Sequence, residues 1–138
     1  MTTILPDERK LTAAEANRLS MLALAHVGDA VYELLVRSML AFQGPATVNE
    51  LHRRTVSLVR AEAQARAAAV LLPSLTEEEL AVYRRGRNSH VHGIPPHANP
   101  GEYHSATGLE ALFGWLWLQG RDERVRSLFR LATEAEGT

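Results

Sequence analysis

Apolar residues along the chain recur at helical rather than alternating spacing, and the pattern predicts an all-α fold. Thr12-Ala-Ala-Glu15 has the form of a capping box and opens a short helix through about Leu19. A long helix follows from about Ser20 to Phe42 and stops at Gly44-Pro45. Thr47-Val-Asn-Glu50 is a second box, opening a helix that carries His52, Arg53 and Arg54. The alanine-rich run from Arg60 to Leu72 favours helix strongly and ends at Pro73. Thr76-Glu-Glu-Glu79 is a third box, with three acids suited to the helix dipole, and its helix runs to about Arg87. Asn88 to Pro100 contains Gly93, Pro95, Pro96 and Pro100 and is predicted as a loop. Loops of that length inside a compact domain are usually functional or mobile. Helical periodicity returns from about Tyr103 to Gln119 through Leu109, Leu112, Phe113, Leu116 and Trp117, and a last helix covers about Asp122 to Ala135. No stretch alternates convincingly as a strand, and no internal repeat is found.

A length of 138 residues fits one domain with one core, here residues 1–138, with a flexible N-terminal segment expected over 1–10. Hydrophobic residues make up 46%, enough for a packed core. The absence of cysteine removes disulfides, thiolate metal sites and any Cys nucleophile, and it fits a reducing cytosol. Met1 to Lys10 is polar and lacks a signal core. Leu19 to Phe42 looks apolar but is interrupted by His26, Asp29, Glu33 and Arg37 at helical spacing. It therefore predicts a core helix with one polar stripe, not a membrane span, and a soluble, cytoplasmic protein.

The net charge of −1 argues at first against a nucleic-acid partner, but its distribution argues the other way. Of 15 basic residues all but Lys10 are arginine, whose fork suits phosphate. From Arg84 to His104 there are three Arg and four His against the single acid Glu102. A nearly neutral protein can thus carry one basic face.

Two carboxylates stand out. Asp29 follows Gly28 in the mid-helix run His26-Val-Gly-Asp-Ala-Val-Tyr-Glu33, in apolar surroundings. Glycine costs about 1 kcal/mol in a helix interior, and close approach of another helix would account for it. Glu110 is flanked by Leu109, Ala111, Leu112 and Phe113, with Gly114 one turn on. The small residues Ala25, Gly28, Ala111 and Gly114 permit tight packing of both helices. Buried carboxylates must be paired, protonated or bound to a metal. Two that face each other repel unless a cation lies between them, and oxygen-only ligation favours Mg2+, with Mn2+ able to substitute. Bonding of each to an arginine, simply holding helices together, is the alternative at this level. Glu33, one turn from Asp29, is expected to be solvated or paired with Arg37.

Arg84-Arg-Gly-Arg-Asn88 ends a helix at the edge of the Pro-rich loop. Arginines there complement the helix dipole, and beside a long loop they also make a phosphate-binding rim. His52, Arg53, Arg54 and Arg60 form a weaker basic cluster. His90, His92, His97 and His104 lack the spacing of a zinc site and the acids that would orient its ligands. There is no Ser-His-Asp motif, phosphate-binding glycine loop or GxSxG elbow.

With Gly28-Asp-Ala-Val31 on one helix and Glu110-Ala-Leu-Phe-Gly114 on a late one, the sequence resembles the ribonuclease III catalytic domain. It is most similar to the mini-ribonuclease III family, through Gly28-Asp-Ala-Val-Tyr-Glu33, Arg84-Arg-Gly-Arg-Asn88 and Thr107-Gly-Leu-Glu-Ala-Leu-Phe-Gly114. The likeness spans about residues 19 to 131. Standard ribonuclease III has further acids one and two turns before the GDAV aspartate and three residues before the late glutamate. Those places hold Ala25, Leu22 and Thr107 here, the reduced pattern of the mini family. No appended double-stranded-RNA-binding domain is expected after the last helix.

The resemblance implies a ribonuclease III-like helical bundle and a homodimer that cuts the two strands of double-stranded RNA. It implies Mg2+ at Asp29 and Glu110, products with 5′-phosphate and 3′-hydroxyl ends, and a role in maturing 23S ribosomal RNA precursor. A-form RNA is recognised by shape through phosphates and 2′-hydroxyls. Arg84, Arg85, Arg87 and Asn88, with the following loop, are the expected RNA contacts, and His52 and Arg53 a second set. His90, His92 and His97 replace the lysines usual in relatives, so RNA affinity is expected to rise as pH falls through the histidine range. Two competing expectations are a non-catalytic RNA-binding or ribosome-associated helical protein, and an interaction module with no RNA role. Acids kept in apolar helix settings favour the enzyme, since a binding protein would gain from apolar replacements there.

Overall fold

Local capping chemistry sets most of the helix boundaries. The structure is a computed structural model that describes residues 9–89 and 94–135. Among the described residues it has seven α-helices and no strand. They are α1 (Ala13–Asn17), α2 (Met21–Phe42), α3 (Val48–Val59), α4 (Ala61–Leu71), α5 (Glu77–Arg87), α6 (Pro100–Leu118) and α7 (Asp122–Ala135). A 3-10 turn over Leu72–Ser74 links α4 to α5. Of the segment expected to be flexible, residues 1–8 lie outside the described residues. Lys10 packs its side chain on Gly120, and the Leu11 N–H bonds the Leu118 carbonyl at 2.8 Å.

The boxes at Thr12/Glu15 and Thr76/Glu79 form with both reciprocal bonds. At Thr47 only the hydroxyl arm forms, accepting from the Glu50 N–H at 3.1 Å. Gly44 ends the α2 region with φ 121°, a backbone state that disfavours any side chain. Pro100, expected to belong to the loop, is instead the first residue of α6. Asn99 caps that helix by accepting from the Glu102 N–H at 3.2 Å. Proline suits a first helical position because the N–H it lacks has no helical partner there.

Helix α6 is the axis of the molecule: Ala106–Leu109 and Ala111–Leu116 are buried, and α2, α4 and α5 pack around it. Tyr32 of α2 meets Phe113 of α6 and Phe129 of α7 edge to face, with centroids 5.2 and 5.5 Å apart. The small α1 is pinned by Trp115, whose indole N–H donates to Asn17 Oδ1 at 2.9 Å.

The acids at the start of α5 do more than complement its dipole. Glu79 is only 1% exposed and accepts two 2.8 Å bonds from Arg124 of α7, through Nε and Nη2. Arg124 also donates to the Ser74 carbonyl at 2.8 Å. This forked pair joins α5 and α7 across 45 residues of chain. The arginine guanidinium holds the Glu79 carboxyl below its usual range despite burial that pushes it up.

Candidate functional site

Glycines on α2 and α6 bring the two helices into backbone contact. A Cβ on Gly28 would lie 1.6 Å from the Glu110 carbonyl oxygen, and one on Gly114 would lie 2.0 Å from the Leu24 carbonyl oxygen. No other residue fits at either place. The glycine whose mid-helix cost needed a reason is explained by this approach.

The same contact places the carboxylates of Asp29 and Glu110 within hydrogen-bonding reach. Asp29 is exposed, which corrects the expectation of a buried aspartate. Successive helix residues are rotated by roughly 100°. With Leu24, Gly28, Val31 and Tyr32 facing inward, Asp29 falls at the rim. Glu110 is partly buried. Burial first, and the neighbouring Asp29 charge second, push its pKa up from 4.5 to about 8. Two acids thus meet at the mouth of an apolar seam, and near neutral pH the inner one keeps its proton.

A third helix reaches the pair. Gln64 of α4 is 1% exposed and hydrogen-bonds Glu110 through its side chain, which works against the upward shift. Sequence reasoning missed Gln64 because it sits in an alanine run. The available signal was its register with Ala67, Ala68 and Leu71, which shares the buried face of α4.

Thr107, where the wider family pattern has an acid, is buried and donates its hydroxyl to the Tyr103 carbonyl at 3.0 Å. Ala25 is buried and Leu22 exposed, and neither carries an oxygen ligand. Among the described residues no three acids, histidines or cysteines cluster as a metal site. Glu33 bonds Arg37 at 2.7 Å, as expected of a surface helix pair.

The end of α5 that carries the basic residues packs on α6 next to Glu110. Gly86 packs against Gly108 and Ala111 on the turns of α6 that flank Glu110, with a Cβ there 2.8 Å from Ala111 Cβ. Arg84, Arg85, Arg87 and Asn88 are exposed on this end of α5. His52 and Arg53 are exposed on α3. His52 borders a small cavity with Arg37, Leu40, Val48, Leu51 and Thr55. Leu40 lies 11 residues beyond Asp29 on α2, roughly 16 Å along the helix axis at 1.5 Å per residue, so this cluster stands apart from the carboxylates. His90 and His92 lie outside the described residues, and His97 is exposed in the turn before α6.

Residues 22–121 match the Ribonuclease III domain family. A mini-ribonuclease 3 of Symbiobacterium thermophilum is 46% identical over 121 residues, covering 86% of this chain and 93% of that protein. A second, from Thermoanaerobacter sp., is 39% identical over 134 residues, covering 97% and 94%. Among solved structures, a Fusobacterium nucleatum protein is similar with a TM-score of 0.78 at 27% identity, covering 86% of this chain and 95% of that one.

Proposed function

Because the chain belongs to the mini-ribonuclease III family of ribonuclease III endoribonucleases, we propose that it cuts double-stranded RNA at a divalent-cation site held by Asp29 and Glu110. The observation that carries this reading is the paired carboxylates, one of which keeps a proton well above its ordinary range. A cation between them would take the place of that proton and relieve the repulsion, so the residues present fit Mg2+ or Mn2+. When bound, such an ion supplies Lewis-acid activation of water and neutralises charge developing on the phosphate.

The protein's own groups divide the remaining work. Asp29 at the rim and the more buried Glu110, once ionised, would be the residues that hold the ion. Arg84, Arg85, Arg87 and Asn88 hold backbone phosphates close to the pair, and His52 and Arg53 offer a more distant contact on α3. The products proposed are 5′-phosphate and 3′-hydroxyl ends. The substrate proposed is 23S ribosomal RNA precursor in the cytoplasm. No helix among the described residues is long and apolar enough to cross a membrane. The large apolar side chains left exposed on α2 and α3, Leu34, Phe42 and Val48, support a homodimer in which a second copy covers part of that surface. Residues 1–138 are taken to act as one catalytic unit.

The test is cleavage of a defined RNA duplex in Mg2+ by the wild type, Asp29→Asn and Glu110→Gln. Wild-type cutting that disappears in both folded variants is expected. If the wild type binds duplex and never cuts, with Mn2+ also tried, the non-catalytic RNA-binding reading replaces this one.

A further inference from the structure

The inward face of α4 is built from Gln64, Ala67, Ala68 and Leu71, and Gln64 is its polar member. Its Nε2 donates to the Val59 carbonyl at the end of α3, at 2.9 Å. Its Oε1 is buried and has no hydrogen-bond partner. A buried acceptor left unsatisfied is a net cost, and an apolar side chain of similar length would avoid it. The Val59 bond accounts for one amide hydrogen, and packing leaves the rest of the amide unexplained. The Glu110 carboxylate accounts for the second hydrogen, since Gln64 hydrogen-bonds it, and an ionised carboxylate can only accept. The amide nitrogen carries two hydrogens, so Nε2 can serve the Val59 carbonyl and the Glu110 carboxylate together. The first bond ties the donor to the backbone at the α3–α4 junction, so the second comes from a fixed point.

We propose that Gln64 is a positioning residue, whose amide, clamped between the Val59 carbonyl and the Glu110 carboxylate, holds that carboxylate toward Asp29 for a shared cation. This rests on the cation site proposed above. Partners that orient a metal ligand typically contribute about 10- to 100-fold in metal affinity.

The experiment measures Mn2+ binding to the RNA-free protein by the electron paramagnetic resonance signal of free Mn2+, with thermal melting and duplex cleavage kinetics alongside. Gln64→Met keeps length and removes the amide, and Gln64→Leu is the second variant if methionine packs badly. The expected result is an unchanged or higher melting temperature, Mn2+ binding about 10-fold weaker, and an unchanged KM for RNA. In a Glu110→Gln background the same change should add nothing. If Gln64→Met binds Mn2+ like the wild type while Glu110→Gln does not, Gln64 is a core residue only and the cation site stands. If Glu110→Gln itself binds Mn2+ like the wild type, the two-carboxylate site fails and the role of Gln64 with it. Unfolding of both Gln64 variants would likewise assign the residue to the core and overturn the proposal.

Discussion

The Glu110 carbonyl oxygen lies where the side chain of Gly28 would begin, 1.6 Å from an ideal Cβ. One backbone contact thereby serves two purposes. It lets α2 and α6 pack without a gap, and it sets Asp29, the next residue on α2, against the Glu110 carboxyl.

Gly28→Ala is expected to be among the most disruptive single-methyl changes in this protein. Relief requires the helices to separate, which costs more than about 4 kcal/mol and opens the carboxylate pair. Urea unfolding checks the stability, and a midpoint within error of the wild type would contradict the contact. Gly114→Ala, 2.0 Å from the Leu24 carbonyl oxygen, should behave alike.

Metal-free stability should fall with pH because of Glu110. Its carboxyl has an ordinary value of 4.5 in the unfolded chain and about 8 in the folded one. Below 4.5 both states carry the proton, and the contribution is fully present. Between the two values the folded state binds more protons, so stability declines as pH rises and levels off above about 8. In EDTA, Glu110→Gln should lose this component and melt on the order of 5 °C above the wild type at pH ~9. Superimposable melting profiles for the two proteins across that window would refute it, and excess Mg2+ should raise the wild type selectively at high pH.

Glu79 and Arg124 should be coupled in stability and separable from catalysis. Removing either partner leaves a buried or half-buried charge without its mate, so Arg124→Ala and Glu79→Ala should each cost about 3 kcal/mol. The Glu79→Ala/Arg124→Ala double variant should cost much less than the sum of the singles. A double-mutant cycle by denaturant unfolding reads the coupling, and additivity would show that the pair contributes nothing.

Arg84→Ala and Arg87→Ala test the rim. Each should weaken duplex binding without regard to sequence, and each should reduce the log–log salt slope by about 0.9 for every phosphate left without its arginine. Titrations at several salt concentrations decide this. A slope equal to the wild type in both variants would remove the end of α5 from the RNA contacts.

Much of this molecule is written locally. Thr12, Ser20, Thr47, Thr76 and Asn99 each cap a helix through a bond to a backbone N–H three residues on, so helix starts follow from short stretches of sequence. The mid-helix Gly28 and the small residues around Glu110 also signal a close helix crossing, because glycine is costly there without one. Pro100 was ambiguous, since the same ring ends one helix and begins another, and only the capping Asn99 decides between them.

The order of residues thus carries the set of helices, the two helices that must touch, and the two carboxylates standing at that contact. Packing alone put Asp29 at the rim and drew Glu110 inward, because exposure depends on which face of α2 its neighbours cover. It alone brought Gln64 to Glu110 and Arg124 to Glu79, partners 46 and 45 residues apart in the chain. Capping and periodicity act over one or two helical turns and carry no information across such distances. Those pairings exist only once the helices are packed, where burial turns an ordinary amide or carboxylate into a group that must find a partner.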